Sequence, residues 1–175
     1  MAPGPAEAYS TPVFTRFTGP EGAMNTVHVD GVYIGKAKNL GYGLMTDIDK
    51  EEVARRLWLW PQGLGSDEHG DPRFHTGPER ALHHYPAEHY AWWRKRYPQV
   101  AWQAPGFGEN LSTHGLDEHD VCLGDLFRWG GALLQISQPR SPCYRLSHRW
   151  GLSDLPQQAQ DSGRCGWFYR VLKPG

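Results

Sequence analysis

The chain has 175 residues, a length typical of one folded domain and enough to bury a sizeable core. With 39% hydrophobic and 21% charged residues the composition is that of a globular protein and excludes disorder. Lys and Arg total 18 against 19 Asp and Glu, and the formal net charge of −1 excludes a nucleic-acid binder that works through bulk positive charge. No apolar run approaches the ~20 residues a membrane helix needs. Residues 1–10 also lack the basic-then-apolar order of a secretion signal, so a cytoplasmic protein with no membrane attachment is expected. The three cysteines, Cys122, Cys143 and Cys165, form no CxxC pair, which disfavours a disulfide scaffold, a zinc knuckle or a cluster. The 21 glycines and 14 prolines imply short elements and many turns, and so a β-rich domain.

In chain order, residues 9–18 alternate and end at a Gly19-Pro20 turn. Residues 26–34 read as two short strands hinged at Asp30-Gly31. Residues 49–60 carry helix signals: Asp49 to cap, Glu51 and Glu52 in the first turn, Pro61 to stop. A polar loop over 63–73 follows, and then Thr76 and Glu79 at capping-box spacing. Behind them residues 80–97 are expected to form two helices broken at Pro86, the second carrying Tyr90, Trp93 and Tyr97 on one face. A loop-rich stretch over 104–120 precedes strands over 121–129 and 132–137, which meet at Gly130-Gly131. A polar turn able to start a helix covers 141–150, a short helix 153–161 and a strand 167–172. There is no repeat or linker, and residues 1–175 are expected to be one domain.

The densest chemistry lies in Ser137-Gln138-Pro139-Arg140-Ser141-Pro142-Cys143-Tyr144-Arg145. Pro139 and Pro142 hold the backbone extended. Arg140 and Arg145 are cations that favour negative charge on a neighbouring sulfur. A thiolate is a nucleophile or a soft-metal ligand, whereas the common fate of a free cysteine is a small buried hydrophobe. Cys122, in an apolar strand, reads as core, and Cys165, between Arg164 and Gly166, as exposed. In Gly106-Phe107-Gly108-Glu109-Asn110 two glycines permit close backbone approach, and Glu109 and Asn110 suit hydrogen bonding to an organic ligand; a plain turn is the alternative. The helix start after Pro78 offers N–H groups to a phosphate, with Arg80 as bidentate partner. Against this, Arg80 could pair with a surface carboxylate and His75 with a backbone group. The nine histidines show no HExxH spacing, and no phosphate loop, nucleophile elbow or dinucleotide fingerprint is present.

Several segments, taken jointly and in this order, resemble the MOSC family, the domain of molybdenum cofactor sulfurase C-termini. Within it the likeness is to the stand-alone bacterial YiiM-like branch. The segments include His75-x-Gly77-Pro78-x-Arg80-Ala81-Leu82, Phe107-Gly108-Glu109-Asn110-Leu111-Ser112-Thr113, Gly124-Asp125-x-Phe127-Arg128-Trp129 and Gln138-Pro139-Arg140-Ser141-Pro142-Cys143-Tyr144. The family commonly has glycine where this chain has Ser66 and Thr76, and YiiM-like proteins usually continue past the equivalent of Gly175 with a small helical region.

The resemblance implies a mainly β, barrel-like fold with a few peripheral helices. It implies a molybdenum cofactor, the metal held by molybdopterin and ligated by Cys143. Carried over by position, His75, Arg80, Glu109, Asn110 and Arg140 join Cys143 in lining the pocket. Arg80 and Arg140 would suit the pterin's phosphate, while His75, Asn110 and Glu109 would orient the substrate and supply protons. The implied activity is reduction of small N-hydroxylated compounds such as hydroxylaminopurines and amidoximes. With no flavin or nicotinamide fingerprint and too few cysteines for a cluster, the electrons are expected from a separate reductase. The alternative is a non-enzymatic carrier of sulfur or of the cofactor, with Cys143 bearing a persulfide.

Overall fold

The computed structural model describes residues 14–18, 23–39, 45–68 and 77–175. In chain order its strands are β1 (Phe14–Thr18), β2 (Ala23–Gly35), β3 (Lys38–Asn39), β4 (Met45–Thr46), β5 (Lys50–Glu52), β6 (Leu59–Trp60), β7 (Gly63–Leu64), β8 (Leu82–Pro86), β9 (Leu111–His114), β10 (Leu126–Trp129), β11 (Ala132–Pro139) and β12 (Trp167–Lys173). The helices are α1 (His89–Arg96), α2 (Tyr144–Trp150) and α3 (Leu155–Ser162). Seven strands close a barrel in the order β1-β10-β11-β12-β8-β9-β2, and β2 returns to β1. The fold is mainly β, with β8 and β9 running parallel and β5 extending the far end of β2.

Alternation builds the barrel interior. Along β12, Trp167 and Tyr169 are buried and Phe168 between them is half-buried; Leu134 and Ile136 point inward from β11. With Phe14, Leu82, Leu111 and Phe127 they fill one core. A second core lies outside the barrel, where α1, α2 and α3 bring Tyr90, Trp93, Leu146, Leu155 and Ala159 against Tyr85 and Phe107. Tyr85 and Phe107 stack at 4.3 Å, and Trp93 Nε1 donates to the Tyr85 hydroxyl at 2.6 Å. Strand β8 is thus covered on both faces, and all five of its residues are buried.

That double coverage explains one departure from the expected elements. Residues 80–86 form no α-helix: a 3₁₀ turn (Pro78–Arg80) runs into β8, a segment too short for periodicity to separate a strand buried on both sides from a helix. The expected helix over 49–60 is also absent. Lys50 to Glu52 pair with Gly35 to Tyr33 of β2, and this long-range ladder overrides the local capping signals. Asp30-Gly31 is a bulge within one continuous strand, with a register shift between Val29 and Gly31. A side chain at Gly31 would collide with the Tyr33 ring. The expected hairpin at Gly130-Gly131 forms between β10 and β11, and Tyr90, Trp93 and Tyr97 share the buried face of α1.

Two cysteines change places. Cys122 is exposed, in the turn before β10, where its N–H donates to Asp125 Oδ2 at 2.8 Å. Cys165 is buried beneath α3; its thiol donates to the Ala159 carbonyl at 3.3 Å, and burial pushes its pKa up to about 11. Thr76, the expected cap, lies outside the described residues, and Gly77 precedes the 3₁₀ turn instead. No helix among the described residues is long and apolar enough to cross a membrane.

Candidate functional site

A cleft with about 70 Å³ of enclosed space, open to solvent on one side, lies where several segments meet. Asp47, Ile48 and Lys50 form one wall together with Asp67; Phe107, Gly108 and Asn110 form the next. Arg140, Cys143 and Arg145 supply the third wall, and Arg80, His83 and Phe168 complete the lining.

Cys143 sits where the extended Pro139-to-Pro142 segment turns into α2. Its backbone is extended (φ −130°, ψ 165°), its carbonyl accepts the Leu146 N–H at 3.1 Å, and its side chain is half-buried at the cleft. Arg140 is anchored by its own N–H, which donates to the Gly166 carbonyl at 3.0 Å. The Arg140 side chain is buried, and its Nη1 finds no hydrogen-bond partner among the described residues. His83, from β8, is buried as well, with the backbone of Gly108 and Cys165 against its ring. Burial, followed by the charge of Arg140, holds the His83 pKa well below the usual imidazole range, so the ring is neutral. Arg80 lays its guanidinium 5.9 Å over the Phe168 ring. Because a three-residue 3₁₀ turn carries little dipole, anion attraction at this end rests on Arg80 and not on a helix terminus.

The opposite chemistry fills the first wall. Lys50 Nζ reaches both carboxylate oxygens of Asp67, at 2.7 and 2.9 Å, with both side chains almost fully buried. Asp67 Oδ1 also accepts the Gly35 N–H at 2.7 Å, and Oδ2 accepts from Asn110 Nδ2 at 2.7 Å. Asn110 Nδ2 donates in addition to the Tyr33 carbonyl at 3.1 Å, and its Oδ1 accepts the His83 N–H at 3.1 Å. Asn110 therefore borders the cleft with its amide committed to three framework bonds.

Glu109 does not line the cleft. Fully buried, it accepts the Phe107 N–H at 3.0 Å and the Tyr90 hydroxyl, which itself accepts the Gly106 N–H at 2.7 Å. Burial raises its pKa. The carboxyl shapes the Gly106-to-Asn110 turn. His75 lies outside the described residues. Of the residues expected at the site, the structure thus brings together Arg80, Asn110, Arg140 and Cys143. It adds His83, Lys50 and Asp67, which sequence reasoning missed. A strand reading of residues 82–86, with Leu82 and His84 facing the barrel interior, would have placed His83 on the outer face beside Tyr85.

Ser66 has φ +71°, the left-handed region that favours glycine. Arg55 Nη2 touches its hydroxyl at 3.4 Å.

Residues 71–175 match the MOSC domain, and the chain belongs to that family, named for the C-terminal domain of molybdenum cofactor sulfurases. Within it the chain is 49% identical over 146 residues to protein YiiM of Escherichia coli K12, covering 82% of this chain and 65% of that protein. It therefore spans just under two-thirds of the relative's length. The crystal structure of YiiM from Escherichia coli superposes with a TM-score of 0.70 at 44% identity, over 85% of this chain and 63% of that one. A protein of Gibberella moniliformis named reductase is 34% identical over 139 residues, 78% of this chain and 25% of that protein.

Proposed function

We propose that the cleft holds the pterin-bound molybdenum cofactor and that the protein, in the cytoplasm, reduces small N-hydroxylated compounds such as hydroxylaminopurines or amidoximes with electrons from a separate reductase. The observation that carries this reading is the half-buried Cys143 sulfur on the same cleft as the buried Arg140, whose Nη1 has no partner among the described residues. Buried polar groups are rarely left unsatisfied, and a bound polar ligand would complete them. Four cations, Lys50, Arg80, Arg140 and Arg145, stand against Asp47 and Asp67 in the lining, a balance that suits an anionic ligand.

The donor set fits the group. Cys143 would ligate the metal through its sulfur, molybdenum being a soft-ligand metal in this setting. Arg140 and Arg80 would take the phosphate, and His83 would offer an uncharged ring nitrogen to the heterocycle. When bound, the cofactor supplies a two-electron metal centre for breaking an N–O bond. Overall, R–NHOH, two electrons and two protons give R–NH₂ and water. His83 stays neutral and so stores no proton; His75 is the proposed proton donor. Asn110, Asp67 and Lys50 hold the wall against which substrate is oriented. The reductase name of one relative and the YiiM likeness support the substrate class.

The test is metal and pterin content of protein purified from a cofactor-competent host, beside Cys143→Ala and Cys143→Ser, with turnover of a hydroxylaminopurine driven by a reduced viologen dye. Near-stoichiometric molybdenum in the wild type, lost with turnover in both variants, is expected. Turnover that persists in Cys143→Ser sinks the mechanism. Wild-type protein without molybdenum but with added sulfur mass on Cys143 establishes the carrier instead.

A further inference from the structure

Three segments distant in sequence meet at Arg149, one residue from the C-terminal end of α2. Its Nη1 donates to the Ile48 carbonyl at 2.6 Å and to the Pro105 carbonyl at 2.7 Å, and its Nε lies 3.2 Å from Asp49 Oδ1. The guanidinium also lies 5.1 Å over the Trp150 ring, whose Nε1 donates to the Gly106 carbonyl at 2.9 Å. These acceptors belong to the two segments that form the other cleft walls. The walls touch there: a Cβ on Gly108 would come within 2.8 Å of Ile48 Cγ1. Both carbonyls keep a second, backbone donor, with Lys50 N–H on Ile48 at 3.2 Å and Gly108 N–H on Pro105 at 3.1 Å. The turns therefore close without Arg149, whereas their distance from α2 does not.

We infer that Arg149 is a positioning residue, a guanidinium that fixes both walls relative to Cys143, which caps the other end of the same helix. A helix of this length is a rigid strut of roughly 10 Å, so a displacement at one end is not absorbed before the other. Lysine keeps the charge and lacks the planar fork that holds Nη1 and Nε on different partners. The inference rests on the proposed function for what the cleft holds, but not for its geometry.

The test is the rate at which iodoacetamide labels each cysteine in cofactor-free wild type, Arg149→Lys and Arg149→Met, read peptide by peptide by mass spectrometry. Wall separation is expected to raise Cys143 labelling by about tenfold in Arg149→Met, the scale set by losing hydrogen bonds from a charged group. A smaller rise is expected in Arg149→Lys, and no change at Cys165. Protein loaded with molybdenum should lose it faster on dilution in both variants. Cys143 labelling within twofold of wild type in both variants overturns the inference. So does a parallel rise at Cys165, which would report general loosening. If wild-type protein carries no molybdenum while Cys143 labelling rises as expected, the cofactor reading fails and the positioning role stands.

Discussion

Replacing Asn110 by aspartate keeps the shape of the side chain and reverses the sense of two of its hydrogen bonds. Nδ2 now donates to the Tyr33 carbonyl at 3.1 Å and to Asp67 Oδ2 at 2.7 Å; in Asn110→Asp an oxygen at that place faces two acceptors. Two ionised carboxylates at 2.7 Å repel by about 6 kcal/mol at an effective dielectric constant near 20. The pair relieves this by retaining a shared proton. The folded variant then binds that proton more tightly than the unfolded chain does. Its stability is highest below the unfolded carboxylate range, at about pH 4, and is lost as pH rises above it. The expected cost is about 3–5 kcal/mol at pH 8, as for breaking a buried charged network, and roughly 1–2 kcal/mol at pH 4.5, where the shared proton is present. Urea unfolding followed by tryptophan fluorescence at both pH values measures this as a midpoint that falls with rising pH relative to wild type. A variant within 1 kcal/mol of wild type at pH 8 would show that the amide is not committed to the framework and is free to serve a ligand.

Gly108→Ala should cost about 2–4 kcal/mol. The backbone there has φ +75°, worth roughly 1–2 kcal/mol of strain for alanine, and the new methyl group overpacks Ile48. A urea midpoint unchanged from wild type would refute the close approach of the two walls. His84 is buried between the Tyr169 hydroxyl at 3.0 Å and Thr113 Oγ1 at 2.7 Å, and burial lowers its pKa to about 3. The unfolded chain protonates this residue near pH 6.5 and the folded protein does not, so the stability it contributes is present above pH 6.5 and falls as pH drops toward 3. His83 acts in the same sense. Between pH 6 and 4 the wild type should therefore lose stability more steeply than His84→Gln, by about 1.4 kcal/mol per pH unit; equal slopes would refute the assignment.

Where the chain's organisation is local, the sequence shows it. The glycine pair between β10 and β11, the aromatic face of α1, the short helix α3 and the closing strand all lie close to where residue spacing puts them. Local signals misled where the partner is remote. Glu51 and Glu52 resemble a helix first turn, yet their backbone completes a ladder with Tyr33 and Ile34; residues 82–86 carry no turn signal that separates a doubly covered strand from a helix. Barrel closure depends on β1 meeting both β2 and β10, which no periodicity encodes, and it was legible only through the family likeness.

The site divides along the same line. Cys143 and Arg140 were legible because two prolines fix the backbone that carries them, and a fixed backbone limits where their side chains can go. Glu109 and Asn110 look like ligand groups because a polar residue beside glycines reads the same whether it faces a cleft or a buried amide. The structure uses both inward, one to hold the Gly106 turn and one to tie β2, β8 and Asp67 together. Ser66 shows how far that framework reaches. A serine at φ +71° costs about 1–2 kcal/mol relative to glycine, yet the next residue is Asp67, whose carboxylate receives Lys50, Asn110 and the Gly35 amide. Three buried donors converging on one carboxylate outweigh a strain of that size, because the Lys50 contact alone is charge-assisted and shielded from water. The turn can therefore carry a serine at this φ with Asp67 still held in the cleft wall.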